Sequence, residues 1–185
     1  MEEPRKPNVV LGVTGSIAAY KATEITRQLV KADINVLPVM TDAATRFLGP
    51  LTLQSLSLNP VTTGLFDEEE SWRPTHIALA DMADLLLIAP VTANVMAKLA
   101  HGLADDVLTA IALATRAPLV LAPAMNVKMW EHPATQANRR LLEERGARLI
   151  GPETGFLACG YEGKGRMSPP EVIVERVLQY LKHRG

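Results

Sequence analysis

Residues 8–16 read Asn-Val-Val-Leu-Gly-Val-Thr-Gly-Ser, a mainly apolar run that ends in threonine, glycine and serine. The apolar part has the length and composition of a buried strand, and the glycine marks a tight turn. Apolar residues then recur near helical spacing between residues 17 and 31, at Ile17, Tyr20, Ile25, Leu29 and Val30. Ser16 is placed to cap this helix, because its hydroxyl can accept a hydrogen bond from a free first-turn amide. The stretch therefore predicts a strand, a tight turn and a helix, which is the repeating unit of parallel sheets.

Strands and helices alternate along the rest of the chain. Further strands are predicted at residues 35–40, 61–65, 84–89, 118–122 and 147–150. The predicted helices cover residues 45–57 (with Phe47, Leu51, Leu53 and Leu56 turned inward), 75–83 (capped by Thr75), 95–101, 105–115, 126–145 and 168–183. This alternation predicts one α/β domain over residues 1–185: a three-layer αβα, Rossmann-like or flavodoxin-like fold with a mostly parallel sheet.

Three segments lack this periodicity. Residues 1–7 are polar and charged and are expected to be disordered, and residues 67–74 are expected to form a solvated loop. Residues 151–167 hold five glycines and a Gly-Lys-Gly-Arg-Met run. We predict a long loop there that acts as a flap, because unstructured segments of this length in a compact domain are usually functional or disordered.

The composition excludes several classes of protein. Apolar residues make up 48% of the 185 and aromatic residues only 4%, so the core is expected to be aliphatic. The net charge of −1 without a basic stripe argues against nucleic acid as a partner. A single cysteine excludes an internal disulfide and a multi-cysteine metal site, so no metal is expected. No signal peptide or membrane span is recognisable, and we expect a cytoplasmic protein that does not bind membranes.

Three polar turns follow three of the predicted strands, at residues 14–16, 41–42 and 92–94. In a parallel sheet such turns lie at one edge, where open α/β folds bind their ligands. They offer hydroxyls, an amide and backbone N–H groups but almost no cations, which favours the phosphate of a mononucleotide. The first turn alone is equally well explained as a tight turn without any ligand.

Four further side chains are candidates for chemistry: His76, Asn126, Cys159 and Arg166. Asn126 follows a strand that ends at Pro123, so its amide is expected at the ligand-binding edge. A lone histidine in a first helical turn is more often a surface or packing residue, and a lone cysteine is more often inert. Cys159, however, lies between Ala158 and a glycine in the predicted flap, where a small apolar side chain adds little to a core.

Five motifs occur in order and resemble those of the homo-oligomeric flavin-containing cysteine decarboxylase family. They are Gly-Val-Thr-Gly-Ser-Ile-Ala-Ala-Tyr-Lys (12–21), Thr-His-Ile-Ala-Leu-Ala (75–80), Ala-Pro-Val-Thr-Ala-Asn (89–94), Pro-Ala-Met-Asn-Val-Lys-Met-Trp (123–130) and Ala-Cys-Gly-Tyr-Glu-Gly-Lys-Gly-Arg-Met (158–167). The resemblance covers the chain from residue 8 to about residue 174. It is strongest to members that act on 4'-phosphopantothenoylcysteine, as the amino-terminal half of the bacterial bifunctional coenzyme A biosynthesis protein does.

The resemblance implies a role for each matching position. FMN would contact Gly15, Ser16, Ile17, Thr41, Thr92, Ala93, Asn94, Val95 and Ala124. His76, Asn126 and Cys159 match the catalytic residues, and substrate contacts would come from Asn126, Ala158, Arg166 and Met167. Family members are trimers or dodecamers with the flavin between subunits and the histidine reaching the neighbour's flavin.

The resemblance also implies a reaction of coenzyme A biosynthesis. Oxidation of the thiol-bearing carbon by FMN gives a thioaldehyde, which lets the adjacent carboxylate leave as CO₂, and return of the hydride gives 4'-phosphopantetheine. Asn126 would orient the carboxylate, His76 would position or deprotonate the substrate, and Cys159 would supply a proton. No domain matches the ligase half of the bifunctional protein. Either a separate phosphopantothenoylcysteine synthetase is a partner or the chain is an excised domain.

Two alternatives stay open on the residues alone. The first is another enzyme of the same fold, either a peptidyl-cysteine decarboxylase that acts on a lantibiotic precursor or a prenyl-flavin synthase. The second is a flavin-binding regulatory subunit without activity. The Ala-Cys-Gly and Gly-x-Gly-Arg-Met sequences favour phosphopantothenoylcysteine over a peptide. The joint presence of His76, Asn126 and Cys159 argues against a pure binder, which needs none of the three together.

Overall fold

The computed structural model describes residues 5–66, 73–156, 158, 160 and 162–182. Five parallel strands form the central sheet in the order β2-β1-β3-β4-β5. They are β1 (Asn8–Val13), β2 (Asn35–Met40), β3 (Leu85–Val91), β4 (Leu119–Pro123) and β5 (Arg148–Leu149). This is the flavodoxin-like strand order. The order in which successive strands are added to the sheet reverses between β1 and β3. The predicted fold class is confirmed.

Helices cover both faces of the sheet. They are a 3₁₀ turn (Ile17–Tyr20), α1 (Lys21–Lys31), α2 (Asp42–Thr45), α3 (Pro50–Ser57), α4 (Thr75–Met82), α5 (Ala93–His101), α6 (Val107–Ala114), α7 (Val127–Glu131), α8 (Pro133–Glu144) and α9 (Pro170–Lys182). Alternate residues of each strand serve the two faces: Val9 and Leu11 pack with α1 and α9, whereas Val10 packs with the layer that contains α5 and α6. All residues of β1 and β3 are buried, which explains why these strands read as continuous apolar runs.

Residues 126–145 form two helices, so the prediction of a single helix there was wrong. α7 ends at Glu131 and α8 begins at Pro133, with extended backbone at His132 between them. Proline has no N–H for a helical hydrogen bond and disfavours helical geometry at the residue before it. The His132 side chain accepts a hydrogen bond from Ala134 N and thereby caps the second helix.

Residues 151–167 are not a structureless loop. Within the described part of this segment, β6 (Glu153–Phe156) pairs antiparallel with β7 (Glu162–Arg166) to form a hairpin. Gly163 and Gly165 take alternate positions of β7, and Cβ atoms there would lie 2.7 Å from the Val127 side chain and 2.2 Å from Met125 O. The packed face of this strand is therefore glycine, and a search for apolar alternation could not detect it.

Several apolar residues predicted to face inward are exposed. Leu53 is fully buried, but Leu51 is 71% exposed, because α3 is short and presents one face to α1 and β2. Phe47 lies between α2 and α3 and is 51% exposed. Ile17 and Tyr20 are each 61% exposed. The helix that was predicted to start at residue 17 opens with a 3₁₀ turn, so these two side chains do not follow the buried face of α1.

Smaller differences concern the ends of elements. Pro74, not Thr75, occupies the N-cap of α4, and it makes no side-chain capping bond. β3 continues through Pro90, where a register irregularity between Ile88 and Val91 accommodates a residue without an N–H. Residues 61–65 contribute only an isolated bridge from Thr62 to β2 rather than a strand.

Two segments that were predicted to lack regular structure lie partly outside the described residues. Residues 1–4 and 67–72 lie outside the described residues. Residues 5–7 are ordered against the sheet, because Arg5 pairs with Asp84 at 2.9 Å and Pro7 O accepts a hydrogen bond from Asn35 N. No helix in the described ranges is long and apolar enough to cross a lipid bilayer.

Candidate functional site

Thr14 joins the ends of the two central strands. Its hydroxyl donates a hydrogen bond to Pro90 O at 2.8 Å and accepts one from Thr92 N at 3.1 Å. The residue is fully buried, so neither bond is exposed to solvent. The turn after β1 and the turn after β3 are therefore held together as one unit at the point where the strand order reverses.

Hydroxyl groups cap the elements that follow these turns. Ser16 accepts from Ala18 N at 3.2 Å, and Thr92 accepts from Val95 N at 3.3 Å at the start of α5. The Ser16 cap was predicted from the sequence and is confirmed, whereas Thr92 was predicted only as a polar residue at a strand end. The turns present hydroxyls and free backbone N–H groups to the same edge, which suits an anion without using a cation.

The second predicted turn lies beside this unit. Thr41 N donates to Val13 O at 3.1 Å, and its hydroxyl accepts from Ala44 N at 3.3 Å. A Cβ atom at Gly15 would lie 2.6 Å from Ala43 Cβ, so glycine is needed where the first two turns meet. Thr41 itself is buried, with 7% exposure, under this contact.

Asn126 begins α7 next to the end of β4. Its Oδ1 accepts a hydrogen bond from Lys128 N at 2.9 Å. The backbone before it is fixed on two sides: Ala124 N donates to Val91 O at 3.1 Å, and Met125 N donates to Gly165 O at 3.0 Å. The Asn126 amide is thus placed between the central sheet and the hairpin.

These parts enclose a cavity of about 460 Å³. Its described lining residues are Gly15, Ser16, Ile17, Ala18, Tyr20, Lys21, Phe47, Thr92, Ala93, Ala124, Met125, Asn126, Met129, Phe156, Ala158, Gly165, Arg166 and Met167. Cavities that bind cofactors and small ligands typically measure ~300–1,000 Å³ and are mostly apolar with a few placed polar groups. The cavity combines an apolar wall, a neutral polar edge and the Asn126 amide.

Most of the site residues predicted from the sequence meet at this cavity. They are Gly15, Ser16, Ile17, Thr92, Ala93, Ala124, Asn126, Ala158, Arg166 and Met167. Thr41, Asn94 and Val95 are not among the described residues that line it. Thr41 and Val95 are buried, and each has its hydroxyl or amide engaged in a capping bond.

His76 also lies away from the lining of this cavity. It occupies the first turn of α4 and is half-buried. Its Nδ1 is buried without a hydrogen-bond partner among the described residues. A buried polar atom without a partner is uncommon in a native chain, so this nitrogen calls for a group beyond the described residues.

Cys159 lies outside the described residues, and its predicted role remains a prediction. Its neighbour Ala158 lines the cavity. Thr14, Lys21, Phe47 and Phe156 were not predicted as site residues: Thr14 was noted only as part of the first polar turn, and Phe47 was expected in the core. Lys21 is the last residue of the 12–21 motif, and that motif was the one available signal that Lys21 lies at the site. The position of Phe156 depends on the hairpin, which was not predicted.

Lys21 and Arg166 are the only charged residues among the described lining of the cavity. Lys21 Nζ donates to Met167 O at 3.1 Å. The pKa of Lys21 is lowered from 10.5, first because burial disfavours its charged form and second because of the positive charge of Arg166. Glu153 and Glu171 act in the opposite direction, each with a smaller effect than Arg166.

The sequence profile of the Flavoprotein family matches residues 1–182 of the chain. The chain belongs to the Flavoprotein family. A flavin fits the cavity. The Ser16 and Thr92 edge offers neutral donors for a phosphate, and the apolar wall suits a planar ring system.

Two curated relatives in this family differ in length. The coenzyme A biosynthesis bifunctional protein CoaBC of Bacillus subtilis is 51% identical over 168 residues, which cover 91% of this chain and 41% of that protein. A probable phosphopantothenoylcysteine decarboxylase of Streptococcus mutans is 46% identical over 175 residues, which cover 94% of this chain and 98% of that protein. The chain therefore spans about two-fifths of the bifunctional relative and nearly all of the shorter one.

Solved structures of relatives superpose on most of the chain. A PPC decarboxylase mutant complexed with pantothenoylaminoethenethiol has a TM-score of 0.85 at 37% identity, covering 96% of this chain and 100% of that one. The FMN binding protein AtHal3 has a TM-score of 0.83 at 37% identity, covering 98% and 100%. An FMN-dependent cysteine decarboxylase, SpaF, has a TM-score of 0.81 at 34% identity, covering 94% and 97%.

Proposed function

We propose that this chain is an FMN-dependent decarboxylase that converts 4'-phosphopantothenoylcysteine to 4'-phosphopantetheine and CO₂ in coenzyme A biosynthesis. The observation that carries the proposal is one cavity that joins the neutral Ser16 and Thr92 edge, the Asn126 amide and the hairpin. The Streptococcus mutans relative, which matches over nearly its full length, bears the name of this activity.

FMN is the flavin that we propose for this cavity, as in the solved relatives whose names state it. Gly15, Ser16 and Thr92 would hold its phosphate through backbone N–H groups and hydroxyls, and Ala93 and Ala124 would lie against it. Bound FMN supplies reversible hydride transfer at the thiol-bearing carbon of the substrate, which makes loss of the neighbouring carboxylate feasible.

Asn126 would bind the substrate carboxylate. A neutral amide orients the carboxylate by hydrogen bonding, whereas a cation at this place would stabilise the charged group against leaving. The hydrogen bonds of Ala124 and Met125 to β3 and β7 keep this amide in place before substrate arrives. The apolar side chains of Met125, Met129 and Phe156 restrict water around the reacting carbons.

His76 and Cys159 would handle protons. His76 has its Nδ1 buried and without a partner in the described chain, and its α4 helix does not reach the chain's own cavity. We therefore propose a homo-oligomer, a trimer or dodecamer, in which His76 serves the cavity of a neighbouring subunit. Cys159 would supply the proton in the final step from its place between Ala158 and Gly160 in the flap.

The greater length of the bifunctional relatives points to one further partner. In the bifunctional relatives a further segment accompanies the part that matches this chain. A phosphopantothenoylcysteine synthetase, either on a separate chain or in a further domain of a longer protein, is accordingly a proposed partner. A cytoplasmic location remains a prediction.

Purified protein incubated with 4'-phosphopantothenoylcysteine tests the function. We expect a yellow protein that releases FMN on denaturation and forms 4'-phosphopantetheine, followed by mass spectrometry. Cys159→Ser is expected to release CO₂ yet to form little 4'-phosphopantetheine, and the wild type is its control. Faster turnover of a cysteine-ended peptide would favour the peptidyl-cysteine alternative, and a colourless protein that cannot take up FMN would overturn the proposal.

A further inference from the structure

Lys21 and Arg166 come from distant parts of the chain and meet at the same cavity. Lys21 is the first residue of α1, and Arg166 is the last residue of β7. The Arg166 side chain lies over Gly155 of the neighbouring strand β6. A Cβ atom at Gly155 would lie 3.3 Å from the Cδ and Nη1 atoms of Arg166. Neither cation forms a salt bridge with any residue in the described ranges.

Two neighbouring cations without an ion-paired carboxylate in the described ranges repel each other, and this repulsion destabilises the folded chain. Burial of Lys21 and the charge of Arg166 both disfavour the protonated ammonium, as its lowered pKa indicates. The nearby carboxylates of Glu153 and Glu171 reduce this effect without pairing directly. A bound anion between the two cations would relieve the repulsion and would gain charge-assisted hydrogen bonds.

The proposed substrate carries two anionic groups, and they make opposite demands on the protein. The carboxylate must leave as CO₂, so cations beside it would oppose the reaction. The phosphate ester does not react, and cations beside it add binding energy that can position the distant cysteinyl end. The neutral edge formed by Ser16 and Thr92 is assigned to the flavin phosphate.

We propose that Lys21, together with Arg166, binds the phosphate ester of the substrate and sets the preference for phosphorylated over dephosphorylated substrate. This inference rests on the proposed function and adds a specificity-determining residue, Lys21, to it. The bond from Lys21 Nζ to Met167 O holds the ammonium at the base of the hairpin, next to Arg166. Through this bond, Lys21 links α1 to the hairpin strand that carries Arg166.

The test compares two unreactive probes, 4'-phosphopantothenate and pantothenate, titrated calorimetrically into the flavin-loaded protein. Lys21→Gln should weaken binding of 4'-phosphopantothenate by about ten- to a hundredfold and leave pantothenate within about twofold, the scale expected for losing a hydrogen bond to a charged group. Arg166→Gln should act in the same direction, and Lys21→Arg should retain much of the preference. Lys164→Gln on the same strand is the matched control, since Lys164 is exposed and does not line the cavity.

Kinetics supply the second readout. In Lys21→Gln the kcat/KM for 4'-phosphopantothenoylcysteine should fall while that for pantothenoylcysteine stays near the wild-type value, with the flavin absorbance unchanged. Equal losses on both substrates would show that Lys21 only supports Met167 and would overturn the inference. A wild type that binds both probes equally would show no preference for the phosphate and would also overturn it. A wild type that prefers 4'-phosphopantothenate but decarboxylates neither substrate would sink the proposed function and leave the anion site standing.

Discussion

At the scale of single residues, the buried hydroxyl of Thr14 is the group on which the site geometry depends most directly. It connects Pro90 O with Thr92 N, and both partners belong to the strand end that carries the third polar turn. Removing a buried hydroxyl leaves a carbonyl and an amide without partners, which is costlier than the net strength of either bond. A single side chain therefore determines the distance between the two turns that would hold the flavin phosphate.

Thr14→Val tests this dependence, because valine has nearly the same shape and no hydroxyl. We expect a loss of about 1–3 kcal/mol in the free energy of unfolding, from urea denaturation, together with weaker flavin retention. Thr14→Ser keeps the hydroxyl and should lose less than Thr14→Val on both measurements. A larger loss in Thr14→Ser than in Thr14→Val would mean that packing of the methyl group, not the hydrogen bonds, is what matters.

At the scale of elements, the hairpin of β6 and β7 is built against the loop that presents Asn126. Gly165 O accepts from Met125 N, and there is no room for a side chain at Gly165, since its Cβ atom would lie 2.2 Å from Met125 O. Gly163 similarly approaches Val127 in α7. The glycine face of β7 therefore positions the backbone on both sides of Asn126.

Gly165→Ala should displace β7 from Met125 and break this hydrogen bond. We expect kcat/KM to fall by about tenfold or more, because small displacements of a positioning group reduce catalysis strongly. Flavin absorbance should remain, since the Ser16 and Thr92 edge is not touched. Gly49→Ala is the matched control: its φ is −66° and nothing lies within 4 Å of the added Cβ atom. Wild-type turnover in Gly165→Ala would contradict the positioning role.

At the scale of the whole molecule, the strand order brings distant segments to one edge. β1 lies between β2 and β3, so the turns at residues 14–16, 41–42 and 92–94 become neighbours although they are far apart in the chain. The same arrangement leaves His76 on α4, outside the lining of the chain's own cavity. We propose that the complete site forms between neighbouring subunits of a homo-oligomer.

Mixing two inactive variants tests this shared site. His76→Asn and Asn126→Asp are each expected to lose most decarboxylase activity, the second because it places a carboxylate against a carboxylate. After joint refolding or co-expression, random association should restore roughly a quarter of the sites, those in which a native Asn126 meets a neighbour's native His76. The separately folded variants, combined without subunit exchange, are the control. No recovery in verified mixed oligomers would place both residues in one chain's site.

Much of the local structure was predictable from the sequence. The strands β1, β2, β3 and β4, the polar turns after the first three and the caps at Ser16, Thr41 and Thr92 depend on residues within a few positions of one another. Alternation of strands and helices was sufficient for the fold class, because buried parallel strands require helices on both faces. The family motifs added the expected site residues, most of which meet at the cavity.

The tertiary structure alone decided the rest, since it depends on contacts between residues that are distant in sequence. Residues 14 and 92 share hydrogen bonds only once β1 and β3 are paired, and Lys21 meets Arg166 only when the hairpin returns to α1. Phe47 carries no local signal that it would line a cavity instead of the core. The hairpin itself was missed because its packed face consists of glycine, whose role is to make room for the neighbouring backbone rather than to bury a side chain of its own.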